Sequence, residues 1–218
     1  MRSVWALLLA TALVFGLSGC DEPPKPSVNL YRAVHIGDLD QIKRHMYWGA
    51  DPNRPDADGN YPLQVAVAMG RVAIAKELLK HGAKTDVRDP EGRTPLHVAL
   101  ANGKVPAARL LIAQGTPDDM QALLQDLVRE DALDRDTLAF LLQHGADVNA
   151  AGPDGSPPLH VAVTSGNVKL ANYLIAAGAD VNLPDASGAT PLALAAAAED
   201  RTTGRIMADL LRQYGATD

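Results

Sequence analysis

Apolar residues along this chain fall into short groups with helical spacing, and a glycine closes each group. In the best-formed stretch Leu96, Ala99 and Leu100 share one helix face, Gly103 ends the element, and a second helix carries Leu110 and Leu111 until Gly115 stops it. Thr94 suits the cap of the first helix and Pro95 its first position, where a missing N–H does no harm. Pro106 falls in the first turn of the second helix, where it is tolerated. Asp89 and Gly92 mark a tight turn just before the pair. The same signals recur. Helix-start prolines stand at Pro62, Pro95, Pro158 and Pro191, separated by 33, 63 and 33 residues. Closing glycines stand at Gly49, Gly82, Gly115, Gly145, Gly178 and Gly215, with steps of 33, 33, 30, 33 and 37. One helix pair cannot bury its apolar face alone, so a sustained period of this kind predicts a stacked array.

The period divides the chain into units at about 28–55, 56–88, 89–116, 117–150, 151–183 and 184–218. The first pairs Leu30, Ala33 and Val34 with Ile42 and Met46. The fourth departs from the rest. Thr116-Pro117-Asp118-Asp119 predicts a helix start with Thr116 as cap and Pro117 at the first position. Met120, Leu123, Leu124, Leu127 and Val128 then make one clean apolar face. No turn segment precedes that helix, which predicts a notch in the row of turns. In the last unit Pro191 and Gly215 lie 24 residues apart, against 20 from Pro95 to Gly115. The four additional residues are assigned to the polar inter-helix stretch from Glu199 to Gly204.

The segment Asp89-Pro90-Glu91-Gly92-Arg93-Thr94-Pro95-Leu96-His97 resembles the signature of ankyrin repeats, and Gly49-Ala50-Asp51-Pro52-Asn53, Gly145 to Asn149 and Gly178 to Asn182 resemble their closing motif. The resemblance implies an all-α ankyrin-repeat solenoid of about six helix-turn-helix units with short β-hairpin fingers. It implies that His97 and His160 bridge backbone and threonine inside the fold, although Pro157 replaces that threonine in the fifth unit. It also implies a concave groove that binds another protein. By matching positions, Ala68, Met69, Ala101, Asn102, Thr164 and Ser165 line that groove. Asp58, Asn60, Glu91, Arg93, Asp154, Ser156 and Ser187 stand at finger tips. Arg93 and Asn102 from the third unit, with Ser156 and Thr164 from the fifth, flank the notch.

The N-terminal region has a different pattern. Arg2 precedes an apolar run from Val4 to Gly16, 13 residues that are too few to span a bilayer comfortably and enough for a signal sequence. Leu17-Ser18-Gly19-Cys20 resembles the lipobox of bacterial lipoproteins. That resemblance implies removal of residues 1–19, acylation of Cys20 and a stable membrane anchor. Asp21 implies, by resemblance to enterobacterial lipoproteins, retention at the inner membrane on the periplasmic side. Residues 20–27 then form a lipidated cysteine and a proline-bearing linker with a reach of roughly 20–25 Å.

Composition narrows the function. Hydrophobic residues make up 47% of the chain but aromatic ones only 4%, which suits closely spaced helices packed through Ala, Leu and Val. The net charge of −6 becomes −7 once residues 1–19, with Arg2 as their only charge, are set aside. Such a surface disfavours nucleic acid and fits a partner with basic groups. Cys20 is the only cysteine, so no internal disulfide forms. Among the six histidines no pair has His-x-x-x-His spacing and none stands in Glu-x-x-His. The sequence holds no P-loop, no G-x-G-x-x-G and no G-x-S-x-G nucleophile turn. The expectation is a protein-binding module in the bacterial envelope without catalysis, metal, cofactor or small-molecule substrate. The alternative is an immunity or inhibitor protein that blocks a toxin or a secreted enzyme.

Overall fold

The computed structural model describes residues 22–217. Within them the chain forms twelve α-helices and no strand. In order they are α1 (Leu30–Ile36), α2 (Leu39–Tyr47), α3 (Pro62–Ala68), α4 (Val72–Lys80), α5 (Pro95–Ala101), α6 (Val105–Ala113), α7 (Met120–Arg129), α8 (Arg135–Gln143), α9 (Pro158–Thr164), α10 (Val168–Ala176), α11 (Pro191–Ala197) and α12 (Arg201–Gln213). Odd-numbered helices pack on one another in sequence from α1 to α11. The even-numbered helices form a second layer, and each pair packs across the layers. Among the described residues no helix is long and apolar enough to cross a membrane.

The core runs between the layers as one continuous band. Leu63, Leu96, Leu124 and Leu159 enter it from the first layer, and Leu78, Leu111, Leu141 and Leu174 from the second, all fully or almost fully buried. Each contributes about 1.5–3 kcal/mol of apolar burial. No closed end of the array could do this alone, so the buried face of each pair depends on its neighbours.

Several local features differ from the sequence reading. The fingers are not β-hairpins with paired strands. Each is a loop whose tip is closed by one turn, as in Asp89 N–H to Arg93 O at 3.1 Å and Gly92 N–H to Asp89 O at 2.8 Å. Their backbones make too few ladder bonds to count as strands. The fourth helix pair begins three residues later than its threonine suggests. Asp119 caps α7 by accepting from the backbone N–H of Gln121 and Ala122. The Thr116 hydroxyl instead donates to Leu111 O at 2.7 Å and closes the end of α6. The additional residues of the last unit lengthen α12 to 13 residues, against nine in α10, and leave the inter-helix turn at 198–200. Two causes act together: Asp200 caps the helix early by accepting from Thr202 N–H, and Gly204 lets it cross α11 closely. A Cβ at Gly204 would lie 2.5 Å from Ala195 O.

Residues 22–27 are not a free leash. Ser27 N–H donates to Gln41 Oε1 at 2.9 Å, Trp48 Nε1–H donates to Pro23 O at 3.1 Å, and the Lys25 ammonium sits 5.6 Å from the centre of the Trp48 ring.

Candidate functional site

A repeated rung holds one unit to the next. The Tyr31 hydroxyl lies 2.8 Å from Asn60 O, Gln64 Nε2 donates to Arg93 O at 2.7 Å, and His160 Nε2 donates to Ala189 O at 3.1 Å. Each side chain reaches the carbonyl 29 residues further on, at the root of the following loop. Burial and the nearby Asp56 carboxylate push the Tyr31 phenol well above its ordinary pKa. A second rung runs through the closing motif. Asn53 accepts from Lys84 N–H and donates to Gly82 O, Asn149 does the same with Asp180 and Gly178, and Asn182 with Thr217 and Gly215.

Both rungs fail between the third and fourth helix pairs. Loops spanning 48–61, 81–94, 144–157 and 177–190 enter α3, α5, α9 and α11, but α7 is entered by 114–119 alone. The carbonyl that His97 would reach therefore belongs to helix α7. His97 turns to a carboxylate instead, with Nε2 3.0 Å from Glu130 Oε2, and does not bridge to threonine through its ring. The Thr94 hydroxyl accepts from His97 N–H as a helix cap and donates to Asp118 Oδ1 at 2.6 Å. Asp86 stands where the closing motif elsewhere has Asn53, and no amide bridge forms from it. On the far side of α7 the rungs resume in altered form. Gln125 Nε2 donates to Ala150 O at 2.8 Å, and Gln121 accepts from Asp147 N–H at 2.8 Å.

The missing loop leaves a cleft of about 550 Å³ between the third loop and α7. Asp86, Glu91, Asp118, Asp119, Asp126 and Glu130 line it, against Arg88 and Arg93. Arg93 Nε is held by Asp89 Oδ2 at 2.9 Å and its Nη2 by Glu91 Oε2 at 3.2 Å. The Asp89 side chain is only 3% exposed, so Arg93 neutralises a buried carboxylate and is not a free finger-tip side chain. Arg88 Nη1 donates to Gly92 O. One acceptor in the cleft, Asp118 Oδ2, is buried without a hydrogen-bond partner. Across the inter-helix turn, Asp131 takes the left-handed conformation at φ 53° that glycines such as Gly103 and Gly166 supply in neighbouring pairs. Its carboxylate accepts from Asn167.

The groove candidates recur at one structural position. Met69, Asn102 and Ser165 are the C-caps of α3, α5 and α9, and all three are exposed. Thr164 is exposed at the last position of α9, while Ala68 and Ala101 are half-buried at the ends of α3 and α5. The cleft gathers Arg93 but neither Asn102, Ser156 nor Thr164. Thr164 and Ser165 border a second cleft of about 410 Å³ against the start of α12. Asp118, Asp126 and Glu130 were not singled out by sequence. The signal for them was the doubled step from Pro95 to Pro158, which places a helix where the partner carbonyl of His97 should be. Among the described residues no three His, Cys, Asp or Glu side chains are grouped to hold a metal ion. Cys20 lies outside the described residues.

No curated protein matches the chain in sequence. Solved structures do. The human ASB11 ankyrin repeat domain superposes with a TM-score of 0.66 at 26% identity, covering 87% of this chain and 85% of that one. A chain from the Bdellovibrio bacteriovorus predatory endopeptidase Bd0816 in complex with immunity protein Bd3460 superposes with a TM-score of 0.61 at 26% identity, covering 85% and 99%. The ankyrin repeat protein EF0377 shares the fold, with a TM-score of 0.62 at 24% identity over 85% and 97%. A family model described as ankyrin repeats (3 copies) matches residues 30–122 and again 127–217. These two matches span most of the array on both sides of the cleft, and the chain belongs to the ankyrin-repeat family, whose fold is a scaffold for protein interaction.

Proposed function

We propose that this protein is a membrane-tethered protein-binding module of the bacterial cell envelope, anchored by lipid on Cys20, facing the periplasm, and without catalytic activity. The twelve helices are read as six ankyrin units with boundaries near 55, 88, 116, 150 and 183. The tether rests on Leu17-Ser18-Gly19-Cys20, and Asp21 favours the inner membrane. The binding role rests on the break between the third and fourth units. There the array gives up both inter-unit rungs and opens a carboxylate-lined cleft beside exposed helix ends. Stability in a solenoid is a sum over units and their contacts, so side chains outside those contacts are free for recognition. The charge of the cleft suits basic groups on the partner.

A second reading is an immunity or inhibitor role. It is supported by the structural neighbour taken from the complex of an endopeptidase with an immunity protein, matched over 99% of its chain. Both readings use the same surface and differ in the identity of the partner.

The experiment is a pull-down of the lipidated protein from solubilised envelopes, followed by binding measurements with the purified partner. Asn102→Arg and Thr164→Arg, which set a cation against a basic partner, are expected to weaken binding by about 1–3 kcal/mol without changing the melting curve. Lys169→Glu, on an outer helix, is expected to leave it intact. A partner that binds the groove variants as well as the unmutated protein refutes the assignment. The tether has its own test. Cys20→Ser should leave an unprocessed, unacylated precursor, and recovery of an acylated Cys20→Ser protein refutes it.

A further inference from the structure

The side chains nearest the N-terminus make an unusual surface. Tyr47 and Trp48 are 56% and 41% exposed, although they are the largest side chains at the end of α2. Their rings meet edge to face at 5.6 Å. Lys43 and Arg44 precede them by one helical turn, and Pro23, Pro24, Asp40, Lys43, Arg44 and Tyr47 enclose a shallow apolar groove. The arriving chain is fixed to this same face by the Trp48–Pro23 hydrogen bond and by Lys25 over the Trp48 ring.

The geometry points to this face as a membrane contact: we propose that Tyr47 and Trp48, with Lys25, Lys43 and Arg44, rest in the headgroup layer of the bilayer that holds the lipid anchor. The inference rests on the tethering through Cys20 proposed above. Cys20 precedes Pro23 by three residues, so even a fully extended chain spans only about 10 Å between them. An acylated Cys20 sits at the membrane surface, and Pro23 is bonded directly to Trp48. The Trp48 ring is therefore tethered within roughly 10–15 Å of the acylated residue, a reach that extends across a headgroup layer roughly 5–8 Å thick. Tyr and Trp partition to that layer because each has an apolar body and a polar tip. Lysine and arginine beside them meet the negative surface of anionic lipids. A docked first unit would leave the later units, and the cleft between the third and fourth, standing away from the bilayer.

Trp48 is its own probe. The chain has two tryptophans, Trp5 and Trp48, and removal of residues 1–19 leaves Trp48 alone. The mature protein is reconstituted into vesicles of phosphatidylethanolamine and phosphatidylglycerol, and Trp48 fluorescence is followed with acrylamide, an uncharged aqueous quencher, and with lipids brominated high or low on the acyl chain. The expected result is blue-shifted emission, severalfold weaker acrylamide quenching than in the same protein without acyl chains free in solution, and stronger quenching by shallow than by deep bromines. Lys43→Glu combined with Arg44→Glu should restore much of the acrylamide quenching while leaving the melting curve unchanged. Full acrylamide access to Trp48 in the vesicles, with Cys20 shown by mass to be acylated, overturns the membrane contact and leaves the tether standing. A mature protein without acyl mass on Cys20 overturns both.

Discussion

The contact between the fifth and sixth helix pairs and the contact between the third and fourth are built from the same kind of sequence and end differently. In the first, His160 reaches Ala189 O and Asn182 continues the closing ladder to Gly215 and Thr217. In the second, His97 occupies the matching place in a Thr-Pro-Leu-His segment, more regular than the Pro-Pro-Leu-His that carries His160, but its partner is the Glu130 carboxylate, 40% exposed at the rim of the cleft. The histidine is unchanged and its surroundings differ. A rung between units depends on what the next loop offers, so loss of one loop converts a structural side chain into the lining of a cavity.

The largest effects should show that the core ignores this difference. Leu96 and Leu124 lie on either side of the cleft and both are 0% exposed. Leu96→Ala and Leu124→Ala are each expected to cost about 2–5 kcal/mol in denaturant melts, the usual range for emptying a buried leucine site. A loss below 1 kcal/mol, on the order of a surface change, for Leu124→Ala alone would mean that the core is interrupted at the fourth unit.

The rungs themselves should separate the two contacts. Gln64 is 3% exposed, and its amide bridges Arg93 O and Tyr61 N–H. Gln64→Ala strands a carbonyl at the root of the third loop, so a loss of about 1–3 kcal/mol is expected. His97→Ala frees a carboxylate that water can reach, and its loss is expected to stay under about 1 kcal/mol. Equal losses would show that the two contacts are energetically alike and that the broken rung at the cleft carries no lower stability.

The overall array was legible in sequence because it rests on periodic signals: the prolines at helix starts, the glycines at positive φ and the leucines at helical spacing. The absence of the fourth loop was legible for the same reason. The partners of individual side chains were not. Arg93 reads as a loop-tip residue, and only folding places it against the buried Asp89 carboxylate four positions earlier. Thr116 reads as a helix cap, but Asp119 lies nearer the start of the apolar face and takes that role. Glu130 carried no motif at all. The extra residues of the last unit look polar enough for a turn, yet Asp200 caps them and Gly204 lets them pack as helix. The Glu130 contact depends on His97, 33 residues away, and the others on which of several nearby groups the packing selects, neither of which periodicity encodes.

The rung at the other end of the array responds to pH. Tyr31 sits between Arg54 O at 2.7 Å and Asn60 O at 2.8 Å, and its pKa is raised by burial first and by Asp56 second. The unfolded phenol ionises near its ordinary pKa of about 10, while the folded one keeps its proton. Above that pH the unfolded chain binds fewer protons than the folded one. The stabilisation is complete below about pH 10 and declines as pH rises beyond it. Tyr31 should ionise only as the array opens in an alkaline titration followed at the phenolate band. Ionisation of Tyr31 with no loss of helix would remove this rung from the comparison.

The smallest effect tests what a rung requires. Tyr31, Gln64 and His160 reach equivalent carbonyls with a phenol, a carboxamide and an imidazole, so the shared property is one donor at the right distance. His160→Gln keeps that donor. His160 is 1% exposed and its Nδ1 has no partner, so the exchange leaves no bond of that atom unmade. With the bond to Ala189 O kept, its expected cost stays below about 1 kcal/mol, the loss from a missing buried hydrogen bond. At the cleft, His97→Gln keeps a donor that can still meet Glu130, and its expected cost is equally small. A loss above about 1 kcal/mol for His160→Gln, comparable to a missing buried hydrogen bond, would show that the imidazole ring contributes packing or a second contact that glutamine cannot supply. The carbonyl would then not be the whole reason for the histidine. If only His97→Gln showed such a loss, the ring would matter for packing at the cleft and not at the regular contact, and His97 would be a structural part of the cleft wall and not a leftover of the repeat.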